Sequence, residues 1–545
     1  MMPNSPNHDR LTALAESYHR RNWDRFPSIG SIVGLTEYDA RLETPDAGLM
    51  EDALADARQT LTQLEAIPAP VADAGHDEVL DRKEFEAQLR VAILNIGTIR
   101  NWRRNPAEPA DSVVTSLFYL LMRRDVDSKE TAEAMIARME QVPAYLDAVI
   151  SRLDDPVALW VDVGIEAADG GAPFLKELAD GVKEKHPGLA SRLDAAVSQA
   201  APALEMYGSW LKELRDKKLS TDPAIGRAAL TDMIRYNHGL SDSIDEVREY
   251  GRKQIKELKA AQGRLAKEID PDATPGQIID RENRRWAETG PDMLAEYQRV
   301  TFELRDRLVN EGILDLPPGE SCDVISTPSF LRPMLPTAAY SAPGPLDKRQ
   351  VGIFYVSDPP KSLPKAEYLA NVAQHFPVDP TCAHEAYPGH HVQLCWANQA
   401  PSLIRKLADH IIFMEGWTLY CEQLMVELGW YPSKVYELGY LNDQLWRACR
   451  IVIDSSVQSG EMTVDEAVLM LQKEVGFTPM RARTELNWYT QSPGTPMSYL
   501  LGKGKTLALR DAWMAMNPGG TLKQFHRWML TQGSVPQGWL METLG

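Results

Sequence analysis

Three of the eleven histidines lie within eight residues, in a segment that reads HEAYPGHH from position 384. Two histidines one helical turn apart, with a glutamate directly after the first, form a common arrangement in which the imidazoles bind zinc and the carboxylate activates water. Here the residue four positions after His384 is Pro388, and the nearest histidine, His390, lies six positions on. The residue types indicate a metal site with His384 and His390 as ligands and Glu385 as general base.

The spacing of these two histidines excludes a regular helix between them. Six residues of straight helix separate two Cα atoms by about 9 Å and about 240° around the axis, so both imidazoles cannot reach one ion. Pro388 removes a backbone donor, and Gly389 permits unusual dihedral angles. We therefore expect a bulge or kink at residues 387–389 that brings His390 back towards His384.

A third ligand is expected on a neighbouring element. Residues 411–425, IIFMEGWTLYCEQLM, predict an apolar helix that carries Glu415 and Glu422 on one face. Buried carboxylates are costly unless they are paired or metal-bound. We therefore expect Glu415 to complete the ligand set and Glu422 to orient a ligating histidine through its second nitrogen.

The elements that must position these residues are mostly helices. Met50, Leu54, Ala57, Leu61 and Leu64 form one apolar stripe, and residues 128–153, 189–216 and 242–268 show similar stripes. The cluster ADGGAP at residues 168–173 predicts a break between helices, and LSTDPAIG at 219–226 predicts a linker. We expect an N-terminal helical region over residues 1–218 and a helical catalytic region with a small sheet over 219–545, and we expect the two regions to form one continuous unit.

One strand signal stands out after the prolines near residue 315, the segment GIFYV at residues 352–356. The predicted fold class is therefore mainly α, a large helical protein with a small β-sheet beside the histidine segment. A phosphate-binding loop at residues 502–506 is not supported, since Tyr499 occupies the position where that motif requires glycine and no strand precedes it.

Composition restricts the partners. The 545 residues carry 58 basic and 77 acidic side chains, a formal charge of −19. This excess opposes binding to nucleic acid and to anionic membranes, but it leaves room for a local basic site.

Neither a signal peptide nor a transmembrane segment is expected. The five cysteines lack CxxC spacing, which favours free thiols and a cytoplasmic location. The sequence does not give the oligomeric state.

Several segments together resemble the domain of unknown function 885 family, whose signatures are HExxPGHH and EGWALYxE. They are HEAYPGHH, EGWTLYCE, GIFYV, GLTEYDARL near the start, and SPGTPMSYLLGK with FHRWMLTQGSVP near the end. The family is similar to the helical zincin peptidases typified by thimet oligopeptidase and the thermostable carboxypeptidases. The resemblance implies a mostly helical fold that encloses a groove, with His384, His390 and Glu415 on zinc. His391 is the alternative to His390, which we prefer because Gly389 and His390 align with the Gly-His ending of those peptidases' motif.

The sequence also departs from the family pattern. Gln458 stands where the family has a histidine, so no ligand role is assigned there. Trp488-Tyr489 stands where an Arg-Tyr pair is expected. Tyr489 and Tyr499 are candidates to donate a hydrogen bond to a developing oxyanion. The predicted substrate contacts are Tyr355, Arg447 and Arg450, with a substrate carboxylate as the partner of the two arginines.

The sequence therefore predicts a zinc-dependent hydrolase, with one ion whose identity stays open, that acts on small peptides. Zinc would polarise a carbonyl while Glu385 takes a proton from water. Two alternatives remain at this stage. One is a metal-dependent amidase or esterase of a small non-peptide, and the other is a non-catalytic metal-binding or scaffold protein.

Overall fold

The structure is a computed structural model that describes residues 5–70, 75–125, 127–328, 332, 335 and 337–544. It is mainly helical with a small three-stranded sheet among the described residues, which confirms the predicted fold class. Two compact units are present. One comprises Met1–Ile225, Leu346–Lys348 and Ser402–Leu407, and the other comprises Gly226–Pro345, Arg349–Pro401 and Ala408–Gly545.

The described helices of the first 225 residues are α1 Pro6–Arg25, α2 Pro27–Ile32, α3 Ala47–Glu65, α4 His76–Ile93, α5 Asn101–Arg104, α6 Glu108–Arg123, α7 Lys129–Arg152, α8 Ala158–Lys185 and α9 Ala190–Arg215. Short non-α turns of helix lie at Thr36–Tyr38, Leu94–Ile99 and Pro187–Leu189. The stripe predicted in α3 is confirmed, with Met50, Ala57 and Leu64 buried and the other two members half-buried.

The predicted break at residues 168–173 is wrong, because α8 runs through it without interruption. The small residues form a packing face instead. A Cβ atom added to Gly171 would lie 3.2 Å from the side chain of Leu204 and 3.3 Å from that of Val114, so glycine lets the helix approach its neighbours closely. Tertiary packing here outweighs the loss of one hydrogen bond at Pro173.

The later helices are α10 Arg227–Tyr236, α11 Ile244–Ile269, α12 Pro275–Glu288, α13 Met293–Asn310, α14 Lys365–Ala373, α15 Val378–Glu385, α16 His390–Ala397, α17 Leu403–Lys406, α18 Ile411–Glu427, α19 Lys434–Val457, α20 Val464–Val475, α21 Pro479–Gln491, α22 Thr495–Met516, α23 Leu522–Leu530 and α24 Gln537–Glu542. Of these, α17 belongs to the first unit and the others to the second. The helix predicted over residues 411–425 is confirmed as α18.

The sheet belongs to the second unit and has the order β1-β3-β2. Its strands are β1 Glu320–Ser326, β2 Ala338–Ser341 and β3 Gln350–Val356. β1 is parallel to β3 and β2 is antiparallel to it. The predicted strand GIFYV lies within β3. The sequence prediction missed β1 and β2, since β1 buries only Cys322 and Val324 and β2 has four half-buried residues.

Two glycines bring α18 and α22 together, backbone against backbone. A Cβ atom on Gly502 would overlap the carbonyl oxygen of Ile412, and one on Gly416 would lie 2.5 Å from the carbonyl carbon of Gly502. Only residues without a side chain fit such a contact. The contact places Glu415 of α18 beside the first turns of α22.

Within the described ranges, no helix combines the length and the apolar character needed to cross a bilayer. Each of the five cysteines lies in a described, buried position and is a free thiol.

Candidate metal centre

The histidine segment folds as two helices with a sharp turn between them. α15 ends at Glu385 and α16 begins at His390. Ala386 leaves the helical region with φ −112° and ψ −88°, and the amides of Ala386 and Tyr387 both donate to the carbonyl of Cys382. The expected bulge or kink therefore takes the form of a complete break of the helix. It brings the imidazole centroids of His384 and His390 to 5.0 Å.

Gly389 is required at this turn for a steric reason. A Cβ atom on this residue would overlap the carbonyl oxygen of His384. The tight approach of the turn to the end of α15 is what returns the chain towards the first histidine. The Pro-Gly pair in the sequence is thus explained by close packing of backbone on backbone.

Three side chains converge as predicted ligands. Nε2 of His384 lies 3.3 Å from Oε2 of Glu415, and Nε2 of His390 lies 3.6 Å from the same oxygen. One potential ligand atom from each residue lies within 4.8 Å of the other two. Tetrahedral zinc with bonds of about 2.0–2.1 Å would hold neighbouring ligand atoms about 3.3 Å apart. We call His384, His390 and Glu415 the ligand group; its nitrogen and oxygen atoms fit a divalent ion.

Glu422 orients one of the two histidines. Its Oε1 accepts a hydrogen bond from Nδ1 of His384 at 2.8 Å, and its Oε2 accepts one from Gln444 at 3.2 Å. This bond leaves Nε2 of His384 facing Glu415, in the manner of the carboxylate partners that support metal-bound histidines. Nδ1 of His390, by contrast, is buried and has no hydrogen-bond partner among the described residues.

The electrostatics of the ligand group favour a cation. Burial lowers the pKa of His384, but hydrogen bonds to Glu415 and Glu422 and the charge of Glu385 outweigh it and raise that pKa to about 10. Burial raises the pKa of Glu415, but the charge of His390 and hydrogen bonds from both histidines hold it well below its usual value. Three carboxylates around two imidazoles require either added protons or a divalent ion.

Glu385 differs from the other two carboxylates in having no fixed partner. It is half-buried, it follows His384 directly, and it makes no hydrogen bond or ion pair among the described residues. A carboxylate in this position is available to a water molecule or a substrate nitrogen.

The two candidate tyrosines occupy different surroundings. Tyr499 is half-buried on α22, and its hydroxyl interacts with Glu415; burial and that carboxylate raise the pKa of Tyr499. Tyr489 is 2% exposed, and its hydroxyl accepts hydrogen bonds from Trp446 and Arg450, each at 2.9 Å. The structure brings Tyr499, but not Tyr489, to the ligand group.

The three predicted substrate contacts also separate. Arg450 is buried, with Nη2 3.3 Å from Glu485 and its Cζ 4.8 Å from the ring centroid of Tyr499. Arg447 is half-buried on the same helix, α19. Tyr355 is 4% exposed in β3, and burial raises its pKa; no described contact joins it to the ligand group.

His391 points away from the ligand group and into a second cluster. Its Nε2 lies 2.6 Å from Oε2 of Glu320, its Nδ1 lies 2.8 Å from the hydroxyl of Tyr340, and Tyr387 donates to Glu320 at 2.8 Å. We call Glu320, Tyr340, Tyr387 and His391 the Glu320 cluster. It joins α16 to β1 and β2. The sequence prediction missed Glu320 and Tyr340, because both lie more than fifty positions from His391 and carry no local signal.

Comparison with known proteins shows the family and the fold. Residues 27–544 match a protein family described as "Bacterial protein of unknown function (DUF885)". No curated protein matches the chain.

Two solved structures are similar over almost their whole length. "The structure of a putative lipoprotein of unknown function from Shewanella oneidensis" has a TM-score of 0.79 and 19% identity, covering 98% of this chain and 99% of that one. "The crystal structure of the putative lipoprotein from Colwellia psychrerythraea" has a TM-score of 0.82 and 18% identity, covering 99% and 98%. At this level of identity the likeness establishes the fold.

Proposed function

This chain belongs to the DUF885 family of bacterial proteins of unknown function, and we propose that it is a metal-dependent hydrolase that cleaves amide bonds in small peptides. The observation that carries the proposal is the ligand group with Glu385 beside it. Two histidines and a carboxylate supply three ligands, and a second carboxylate, which makes no hydrogen bond or ion pair with the described residues, stands next to the first histidine.

The number of ligands favours a catalytic site over a structural one. Structural zinc sites are closed by four protein ligands, whereas catalytic sites use three and leave a position for water or substrate. The group found among the described residues has three members, His384, His390 and Glu415. We infer that one zinc ion is the cofactor and that the site is a variant of the zincin arrangement. The donor set and the position of Glu385 support both inferences.

Each side chain has a distinct part in the proposed reaction. A divalent ion held by the ligand group would polarise the substrate carbonyl and lower the pKa of water. Glu385 accepts a proton from the attacking water and delivers it to the leaving nitrogen. Tyr499, whose hydroxyl already interacts with Glu415, donates a hydrogen bond to the carbonyl oxygen as negative charge develops there. Glu422 keeps Nε2 of His384 directed at the centre.

The test uses the purified full chain, prepared without chelators and then loaded with zinc. A library of short peptides is digested and analysed by mass spectrometry, together with a set of non-peptide amides and esters. We expect peptide cleavage that EDTA abolishes and that Glu385→Gln removes. Glu367→Gln, which changes an exposed carboxylate of α14, is the matched control and should cleave like the wild type.

The outcomes separate the alternatives. Cleavage unchanged by Glu385→Gln would contradict the mechanism. Cleavage of amides or esters without peptides would show a metal-dependent amidase or esterase. A protein that holds no stoichiometric metal and cleaves nothing would be a binding or scaffold protein.

Cellular location is a separate proposal. Five free and buried thiols support a reducing compartment such as the cytoplasm, whereas two proteins of the same fold are described as lipoproteins. Separation of the producing cells into soluble and membrane fractions, followed by immunodetection, distinguishes the two.

A further inference from the structure

Three arginines of the second unit converge on one indole ring. The guanidinium carbons of Arg447 and Arg450, both on α19, lie 4.2 Å and 4.1 Å from the ring centroid of Trp446. That of Arg481, on α21, lies 5.4 Å from the same ring. A guanidinium stacked on an aromatic face keeps its in-plane N–H donors available to another partner.

The acidic partners of these arginines are too few. Glu485 pairs with Arg450 at 3.3 Å, and Asp443 lies 3.6 Å from Nη1 of Arg447. Two carboxylates against three guanidinium groups leave a net charge of about +1 at this place, in a chain whose overall charge is −19. Burial lowers the pKa of Arg481, the charges of Glu485 and Asp443 raise it, and the like charge of Arg447 lowers it. The same two carboxylates therefore serve all three guanidinium groups, which leaves room for one more anion.

Of the two arginines on α19, Arg447 has the less satisfied guanidinium. Its side chain is 13% exposed, its contacts with Asp443 are no shorter than 3.5 Å, and its Nε is buried without a hydrogen-bond partner among the described residues. Arg481 is exposed, and its guanidinium makes no hydrogen bond or ion pair with any residue that the structure describes. A half-buried donor without good partners is costly unless a ligand completes it.

These arginines adjoin the ligand group through a single side chain. Tyr499 has the guanidinium of Arg450 4.8 Å from its ring centroid, and its hydroxyl interacts with Glu415. The charges of Arg447 and Arg450 both act on that hydroxyl. One tyrosine ring therefore separates the excess positive charge from the predicted metal ligands.

We propose that Arg447, with Arg481 beside it, binds a free carboxylate of the substrate, so that the enzyme cleaves an amide bond near a C-terminal end. The inference rests on the proposed function. A net charge of about +1 matches a singly charged carboxylate, and the planar guanidinium can donate hydrogen bonds to both carboxylate oxygens side by side. Hydrolysis breaks the C–N bond of the amide: the OH of one water goes to the acyl carbon, its other proton goes to the leaving nitrogen, and the released amine fragment keeps the bound carboxylate. Arg450 is already paired with Glu485 and Tyr489, so it serves to position the aromatic rings.

The test compares peptides that end in a free carboxylate with the same peptides ending in an amide. Alanine oligopeptides of two to five residues, each as the free acid and as the C-terminal amide, are titrated calorimetrically into the zinc-loaded Glu385→Gln full chain. The same peptides are assayed with the zinc-loaded wild type. We expect the acids to bind about 10 to 100 times more tightly than the amides, the range for hydrogen bonds between charged groups. The cleavage efficiency kcat/KM should favour the acids by a similar factor.

Variants test whether Arg447 is the residue that makes acids bind more tightly than amides. Arg447→Met, made in both backgrounds, should bring the ratio of acid to amide binding close to one and leave the amide's affinity unchanged. Arg447→Lys should keep part of the preference, since lysine supplies the charge without the planar fork. Arg483→Met is the matched control, because Arg483 lies on α21 and pairs with Asp465 at the surface. It should keep the full ratio.

The outcomes distinguish this inference from the proposed function. Peptide cleavage with equal binding of acids and amides, or an Arg447→Met variant that weakens both equally, would overturn the carboxylate site and leave the hydrolase standing. Selective binding of acids without any cleavage would support the carboxylate site and overturn the hydrolase. Neither selectivity nor cleavage would overturn both.

Discussion

His390 and His391 are neighbours in sequence, yet they belong to two regions that differ in how far the hydrogen bonds of the imidazole are satisfied within the protein. His390 is in the ligand group, where Nε2 faces a carboxylate 3.6 Å away and Nδ1 has no partner among the described residues. His391 is in the Glu320 cluster, where both ring nitrogens lie within 2.8 Å of a partner and the side chain is fully buried. The imidazole of His390 can therefore still bind an ion, whereas both ring nitrogens of His391 already have partners within the fold.

The comparison shows how a metal ligand can be told apart from a structural residue when both are histidines of one motif. A polar group whose hydrogen bonds are satisfied inside the protein stabilises the structure, and its loss leaves its partners buried and unpaired. A buried group of ligand atoms whose charges are not balanced within the protein is completed by a bound ion. The Glu320 cluster fixes α16 against the sheet, and this fixes the direction of His390.

The largest expected difference between the two regions is in catalysis. Glu385→Gln should lower kcat on a cleaved peptide by about 100- to 10,000-fold, the range for loss of a general base, with metal content unchanged. Glu320→Gln should leave kcat within about tenfold of the wild type and lower stability instead. Steady-state kinetics and metal analysis of both variants test this. Equal loss of kcat in the two variants would remove the distinction.

The two histidines should respond in opposite ways to truncation. His390→Ala should weaken zinc affinity by more than about 100-fold, since loss of an orienting partner alone costs 10- to 100-fold. The free energy of unfolding of the metal-free protein should fall less than in His391→Ala, because Glu415 keeps His384 as a partner. His391→Ala should lower that free energy by about 3–5 kcal/mol, because the buried side chain of Glu320 loses its contact with the imidazole and keeps the hydrogen bond from Tyr387. Zinc competition titrations and urea unfolding provide the two measurements. If His391→Ala loses zinc and keeps its stability, the assignment of ligands must be exchanged.

Histidines with carboxylate partners and histidines without them should change the folding stability in opposite directions as the pH falls. Burial lowers the pKa of His238, His375 and His526 to about 4, whereas it is about 6.5 in an unfolded chain. The folded state therefore binds fewer protons between these values, and each histidine should cost up to about 3 kcal/mol of stability as pH falls from 6.5 to 4. His384, whose pKa is raised in the metal-free protein, has the opposite sign: its contribution is present below pH 6.5 and lost as pH rises through about 10.

Urea unfolding of the metal-free protein between pH 8 and pH 5 measures this dependence. His375→Gln removes one titrating group, so its stability should fall less steeply with acid than that of the wild type. A flat stability down to pH 5 would contradict the burial of these histidines as neutral groups.

The smallest predicted effect concerns the orienting carboxylate. Glu422→Gln should weaken zinc affinity by about 10- to 100-fold, because the amide replaces a charged acceptor for Nδ1 of His384. The exposed Glu367→Gln serves as the control and should bind zinc like the wild type. An affinity unchanged in Glu422→Gln would show that His384 is oriented by packing alone.

The parts of the fold that could be predicted from sequence are those with a local pattern. The stripe of α3 and the apolar helix α18 with its two in-face carboxylates repeat at helical spacing, so their burial follows from residue type. The strand β3 is apolar enough to be recognised. By contrast, β1 alternates exposed and buried residues over only part of its length, and its role depends on pairing with β3, 30 positions later.

The site divides in the same way. His384, His390, Glu385 and Glu415 are close in sequence or share a recognisable helix, so spacing was sufficient to nominate them. The turn at Gly389 was anticipated as a bulge or kink, but its actual form depends on a backbone contact with His384 that no pattern of side chains encodes. The distant partner Glu320, like the position of Arg481 beside Arg447, follows only from tertiary packing.

The glycine contact between α18 and α22 has a consequence for motion. With Gly416 and Gly502 in backbone contact, neither helix can unfold locally without exposing the other, so the two form one cooperative unit. Their interior amide hydrogens should exchange with solvent at a common, slow rate, and a side chain introduced at Gly502 should speed exchange in both helices together. Glu415 and Tyr499 would then keep their separation through every fluctuation short of opening that unit.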